Sequence, residues 1–240
     1  MRVYDKIARM FKVIQNIGQR GNLSLLTRRL APARAFTSMA AFFLLAVGCE
    51  DGDKTAGKDY GDNNGSLVVC IGDSLTMGYM CEGDSYPERL AMLTGKTVMN
   101  YGVGGVRSPH GVSVIYSVVA RKPGYVCIMY GTNDAINVAE FDVNETIENL
   151  RRVVNVCLAY DCIPIVATIP PMSGSHESFN GNVLLLVEAI REFAKEENIC
   201  LVDIHKAFGD NTSYLNPLDG LHFSDAGGEL VARKFAAMIP

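Results

Sequence analysis

Five short apolar runs, Leu67–Ile71, Thr97–Asn100, Tyr125–Tyr130, Ile163–Ile169 and Ile199–Ile204, punctuate the chain after residue 66, and most are continuous rather than alternating. A strand exposed on one face alternates apolar and polar residues. A continuous run suits a strand covered on both faces, as in a parallel sheet. Between the runs lie helical patterns. Tyr86–Leu93 is short, and Val112–Arg121 is closed by Gly124. Val143–Ala159 repeats Val143, Ile147, Leu150, Val154 and Leu158 at helical spacing, and Val183–Glu197 carries Leu184, Val187, Ala189, Ile190 and Phe193 on one stripe. Asp225–Met238 follows Ser224, a fitting N-cap. Strands alternating with helices predict βαβ units, a parallel sheet and helices on both faces, an α/β fold. No internal repeat is visible. With 48% apolar and 20% charged residues, the 240-residue chain is neither mainly disordered nor collagenous.

The net charge of −4 hides an asymmetry. Residues 1–48 carry 8 basic and 1 acidic side chains (+7), and the remaining 192 residues carry 14 against 25 (−11). An acidic domain repels phosphates, which argues against nucleic acid as a partner. The basic segment reads as targeting. Ala35–Gly48 is an uncharged stretch of fourteen residues behind Arg28, Arg29 and Arg34. It is short of the roughly 20 apolar residues that a membrane span needs, and fits the apolar core of a secretory signal. It ends in Leu45-Ala46-Val47-Gly48-Cys49, which resembles the lipobox of bacterial lipoproteins. That resemblance implies removal of residues 1–48, lipidation of Cys49, and an exported protein that meets a membrane only through its lipid anchor. Glu50–Ser66 is polar and Gly-rich, so 49–65 reads as a flexible tether and 66–240 as the domain.

Besides Cys49 there are six cysteines. Cys70, Cys127, Cys157 and Cys200 sit among apolar residues, while Cys81 and Cys162 lie nearer loops. An exported domain can pair such residues, but their settings read as free, mostly buried thiols. Cys157-x₄-Cys162 has no second pair or histidine cluster to complete a metal site.

Four blocks carry candidate chemistry, each at a strand end or near the C-terminus. Gly72-Asp73-Ser74-Leu75 puts a serine where α/β sheets place reactive groups. Asn100-x-Gly102-x-x-Gly105 lets backbone approach a ligand closely, and lacks the spacing of a dinucleotide fingerprint. Gly131-Thr132-Asn133-Asp134 offers a side-chain amide. Asp219-Gly220-Leu221-His222 lets Asp219 hold the His222 Nδ1–H and leave Nε2 free as a base. Each block also has an ordinary structural reading: an N-cap for Ser74, turns for the glycines and Asn133, a cap for His222.

Together, and in this order, the four blocks resemble the SGNH (GDSL-type) hydrolases, over about residues 66–240. The resemblance implies a flavodoxin-like three-layer α/β/α sandwich with a five-stranded parallel sheet in order 2-1-3-4-5. It implies an esterase with Ser74 as nucleophile, His222 as base and Asp219 as its partner. The implied oxyanion donors are the Ser74 and Gly102 N–H groups and the Asn133 side chain. No metal or organic cofactor is called for. The substrate is a small-molecule or glycan ester, either an O-acetylated carbohydrate or a lipid or thioester acyl chain. The rival is a non-catalytic envelope-binding lipoprotein on the same scaffold. His110, His176 and His205 have no matched partners in the sequence. Arg107, Met77, Tyr79 and Met80 are candidates to line a pocket, and Pro170-Pro171 with the 172–181 loop to form its rim.

Overall fold

The computed structural model describes Thr55 and residues 57–240. Residues 1–48 and Cys49, on which the targeting expectations fall, lie outside the described residues.

Five strands form one parallel sheet: β1 (Asn64–Gly72), β2 (Thr97–Gly102), β3 (Pro123–Met129), β4 (Ile163–Ala167) and β5 (Cys200–Val202). Their order is β2-β1-β3-β4-β5, as expected. β1 is central, with Gly72 in register with Gly102 on one side and Met129 on the other.

The continuous runs divide residue by residue between two cores. Val69, Ile71, Val126, Ile128 and Val166 face one side. There they pack against α3 (Ser108–Val119), α5 (Val143–Ala159) and α6 (Asn180–Glu196). Val68, Cys70, Tyr125, Cys127, Ile165 and Val202 face the other. There they meet α2 (Tyr86–Thr94) and α8 (Asp225–Ala236). Both faces of β3, of β4 and of the second half of β1 are thus taken out of water, at roughly 25 cal/mol per Å² of apolar surface, while the edge strand β2 stays half-exposed. The six cysteines among the described residues are free thiols.

The caps follow the local chemistry. Asp142 opens α5 by accepting from the Asn144 and Glu145 N–H groups, and Ser224 opens α8 by accepting from Gly227 N. Three helices have no counterpart in the sequence reading: α1 (Ser74–Met77), α4 (Thr132–Ile136) and α7 (Ile204–Phe208). Each is one turn long, too short to show a period. The tether also ends earlier than expected. β1 already starts at Asn64, and before it Tyr60 sets its ring edge-on to Tyr125 with centroids 5.8 Å apart. Among the described residues no helix is long and apolar enough to cross a membrane.

Candidate active site

The site is built where β1 and β3 end. A Cβ on Gly72 would stand 2.0 Å from Thr76 Oγ1 and 2.6 Å from Met129 O. Only glycine lets the chain turn this tightly from β1 into α1. Asp73 caps that short helix by accepting from Leu75 N at 2.9 Å, and Ser74 is its first residue. Capping therefore falls to Asp73, and the Ser74 hydroxyl is left for another partner. That partner is His222: Nε2 lies 2.9 Å from Ser74 Oγ.

His222 reaches Ser74 from a strapped loop. Asn216 N–H donates to His222 O at 2.7 Å, and Asn216 Nδ2 donates to Met80 O at 3.2 Å, so the loop is sewn to the segment behind Ser74. Asp219 Oδ2 is 2.6 Å from His222 Nδ1. Asp219 Oδ1 accepts from the Leu221 and His222 N–H groups at 2.9 and 3.1 Å. Burial pushes this carboxyl up, but the three hydrogen bonds and the neighbouring imidazole outweigh burial and hold it below its ordinary value. Gly220 between them sits at φ +66°, where a Cβ would meet Ser173 O at 2.1 Å. The Tyr79 ring stands edge-on to His222, centroids 4.9 Å apart. The expected Ser74, His222 and Asp219 are thus one hydrogen-bonded chain, joined across 148 residues.

Asn133, in the first turn of α4, donates through Nδ2 to Val106 O at 2.8 Å, so it grips the glycine-rich stretch after β2. Beside it Asp134 is buried and accepts from Ser108 N (3.0 Å), Ser108 Oγ (2.7 Å) and Thr146 Oγ1 (3.3 Å). Asp134 ties α4 to the N-terminus of α3, immediately after that stretch. The sequence assigns Asp134 no role of its own.

Gly102 requires a correction. Its N–H donates to Asn100 Oδ1 at 2.9 Å, and a Cβ on it would meet Met77 N at 2.1 Å. Gly102 is needed so that β2 passes against α1, and its N–H is already engaged. Gly105 differs: it is exposed, at φ +75°, with open space around its Cβ position, one residue before the Val106 carbonyl that Asn133 grips.

The remaining expectations divide. His176 Nδ1 lies 2.8 Å from Asp219 O, and Ser173 N–H donates to Gly220 O at 2.8 Å. The 172–181 loop therefore does border the site, and His176, which has no partner in the sequence reading, has one. His110 pairs with the Tyr130 hydroxyl at 3.3 Å. His205 shows no link to Ser74; burial and the Arg191 charge hold its ring below the ordinary value. Arg107 is paired with Glu140 at 2.8 Å. Among the described residues no three His, Cys, Asp or Glu side chains cluster as a metal site would need.

Asp73 is the electrostatic oddity of the site. Burial, with a lesser push from Asp134, raises its carboxyl from 3.8 to about 7, against the opposing pull of Leu75 N–H and Thr132. Its Oδ2 and the Thr132 hydroxyl make no well-formed hydrogen bond. A carboxyl with a raised folded pKa binds its proton more tightly folded than unfolded. Its contribution to stability is complete below about pH 4 and is lost as pH rises through about 7. An amide of the same shape does not ionise, and can donate to Thr132. Asp73→Asn is therefore expected to gain stability over the native protein as pH is raised from 5 to 8. Urea midpoints of both proteins at the two pH values check this; a difference independent of pH refutes it.

A parallel α/β/α sheet with a serine, a histidine and an aspartate hydrogen-bonded in series at its C-terminal edge is the arrangement of a serine hydrolase. Residues 70–230 match the model of the GDSL-like lipase/acylhydrolase family; the chain belongs to that family and is a serine hydrolase of carboxylic esters. Solved structures agree. A G-D-S-L family protein from Desulfitobacterium hafniense is 27% identical, with a TM-score of 0.63 over 71% of this chain and 98% of that one. A lipase/acylhydrolase from Enterococcus faecalis is 26% identical, with a TM-score of 0.62 over 71% and 93%. A catalytic mutant of an acetylxylan esterase from Geobacillus stearothermophilus, 23% identical over 74% and 95%, shares the fold with a TM-score of 0.64. No curated protein sequence matches the chain.

Proposed function

We propose that Ser74, His222 and Asp219 form the catalytic triad of an exported, lipid-anchored esterase. The observation that carries this is the hydrogen-bonded series itself, 2.9 Å from Ser74 Oγ to His222 Nε2 and 2.6 Å from Nδ1 to Asp219. Ser74 Oγ attacks the ester carbonyl while His222 Nε2 takes its proton. His222 then gives that proton to the departing alcohol, leaving an acyl-serine. Water, deprotonated by the same nitrogen, attacks the acyl-serine and releases the acid and the free serine. Asp219 holds the imidazole in the tautomer that presents a bare Nε2 and stabilises its cation.

The tetrahedral oxyanion is met by the Ser74 N–H, by the Asn133 amide and by the Gly105 N–H, in place of the engaged Gly102 N–H. Donors of this kind are worth about 3–4 kcal/mol each in the transition state. The substrate is an O-acetylated carbohydrate or a lipid or thioester acyl chain. The acetylxylan esterase fold favours the first weakly, because at that identity fold alone is shared. The targeting pattern supplies the setting: residues 1–48 as a signal, Cys49 as the lipidated terminus, and a domain from about 66 to 240.

A fluorophosphonate that labels Ser74 in the native protein, and fails to label Ser74→Ala, tests the nucleophile. Absence of labelling in the native protein supports the non-catalytic rival instead. Asn133→Ala is expected to lower kcat by about 10²–10³ with a smaller change in KM, because its amide acts on charge that develops only in the transition state. Steady-state kinetics on a p-nitrophenyl ester decide; an unchanged kcat makes Asn133 only the clamp on Val106.

A further inference from the structure

The site lies at the C-terminal edge of the sheet, and the chain enters from the opposite edge. Asn64, the first residue of β1, donates to Lys122 O at 2.8 Å in the turn that precedes β3. The residues before it are fastened beneath the sheet. Asn63 Nδ2 donates to Tyr160 O at 2.8 Å, in the link from α5 to β4. Lys58 Nζ donates to Asn198 O at 3.4 Å, in the link from α6 to β5. Thr55 Oγ1 donates to Met238 O, just past α8. Tyr60 packs on Tyr125 near the start of β3. Every one of these partners lies at the N-terminal edge, the edge away from Ser74.

This fastening limits what Cys49 can permit. From Cys49 to Thr55 is six residue steps, at most about 20 Å of fully extended chain. β1 is nine residues long and rises about 30 Å, with Ser74 beyond its far end. For the site to face a bilayer that holds Cys49, the domain must invert. Thr55 would then stand at least 30 Å or so from that surface, farther than the chain reaches. Released from its fastening, the chain from Cys49 to Asn64 has fifteen steps and a reach of about 50 Å, which is sufficient. The docked arm, rather than the count of residues after the anchor, sets the orientation.

We infer that the anchored enzyme holds its active site away from its own membrane and acts on O-acylated carbohydrate presented from the aqueous side, not on the acyl esters of the anchoring bilayer. This rests on the Cys49 anchor and the Ser74 site proposed above. Of the substrates open at the site, this orientation excludes the acyl chains beneath the headgroups of the anchoring bilayer and leaves those presented from the aqueous side, of which the O-acylated carbohydrate is put to the test.

The test uses the lipidated protein in phospholipid vesicles. Flotation that is lost in Cys49→Ser identifies the anchor. Native protein that does not float overturns this inference together with the anchor, and leaves the hydrolase reading standing. Floating protein is then labelled, in a Cys81→Ser background, with a dye at Val138→Cys on the catalytic edge or at Glu196→Cys at the end of α6 on the opposite edge; both positions are exposed. Energy transfer to an acceptor lipid is expected to be severalfold greater from position 196. Equal transfer, or greater transfer from position 138, overturns the orientation. A flexible Gly/Ser insertion of about 20 residues between Cys49 and Thr55 is expected to erase the difference. In parallel, an O-acetylated polysaccharide added outside the vesicles is hydrolysed with and without the insertion. Fatty acid is released from the vesicle lipids, if at all, only with it. Release by the native protein, or inactivity toward the polysaccharide, overturns the substrate inference. Unlabelled Ser74 in the fluorophosphonate assay marks failure of the catalytic reading instead.

Discussion

Ser74→Ala is expected to reduce ester hydrolysis to a trace, about 10³–10⁶-fold below the native rate, while the protein melts within a few degrees of the native protein. The two halves of this expectation rest on different atoms. In the proposed mechanism the chemistry needs Oγ, the atom 2.9 Å from His222 Nε2. Structure does not need it. The cap of α1 is the Asp73 carboxylate on Leu75 N, and the turn is closed by backbone bonds from Met77 N to Asp73 O and from Gly78 N to Ser74 O. Ser74 retains 9% of its surface exposed, so loss of one oxygen leaves no sealed cavity. His222 also stays in place, held by Asp219 and by its own carbonyl on Asn216 N. The check is kcat/KM on p-nitrophenyl acetate alongside a thermal melt. Activity within tenfold of native, in a protein that melts normally, means that another nucleophile operates.

The parts of this site that sequence reveals are those whose causes are local. Gly72-Asp73-Ser74 is legible because a tight strand-to-helix exit demands a glycine; that the cap is Asp73 and not Ser74 emerges only from the structure. The strands are legible because burial on both faces removes the polar alternation: Val68 and Cys70 serve one core and Val69 and Ile71 the other. What escapes depends on partners far along the chain. One exception is local: the Gly102 N–H is engaged by Asn100 Oδ1 only two residues before it, a turn that depends on the rotamer of Asn100. His176 meets the Asp219 carbonyl across 43 residues, and Asp134 meets Ser108 across 26, with no periodicity to announce either. The arm before β1 is polar in composition, so it reads as tether; its docking depends on Tyr60 and on carbonyls of distant turns, which composition averages away. Helices of four or five residues, such as α1 and α4, offer no full apolar stripe, and their ends are set by Gly78 and by the sheet edge.

Asp219→Asn separates orientation from catalysis more sharply than alanine does, and is expected to lower kcat by about 10⁴ with KM little changed. Asp219 works with both oxygens. Oδ1 accepts from the Leu221 and His222 N–H groups and shapes the turn; Oδ2 takes the His222 Nδ1–H. Alanine removes both and loosens the loop that carries His222. Asparagine keeps the turn, because its carbonyl oxygen can still face the two backbone donors. Its NH₂ group then faces Nδ1, which must become an acceptor. The imidazole proton moves to Nε2, and a protonated Nε2 cannot take a proton from Ser74. The amide could flip to offer its oxygen to Nδ1–H. Its NH₂ would then oppose the Leu221 and His222 N–H groups, exchanging one hydrogen bond for two lost ones and a clash of donors. The flipped state is therefore disfavoured, and the wrong tautomer dominates. The expected signature is a folded protein of near-native melting temperature whose kcat has collapsed. A variant that retains more than a tenth of native kcat shows that something other than Asp219, such as the nearby Tyr79 ring, holds His222 in its working tautomer.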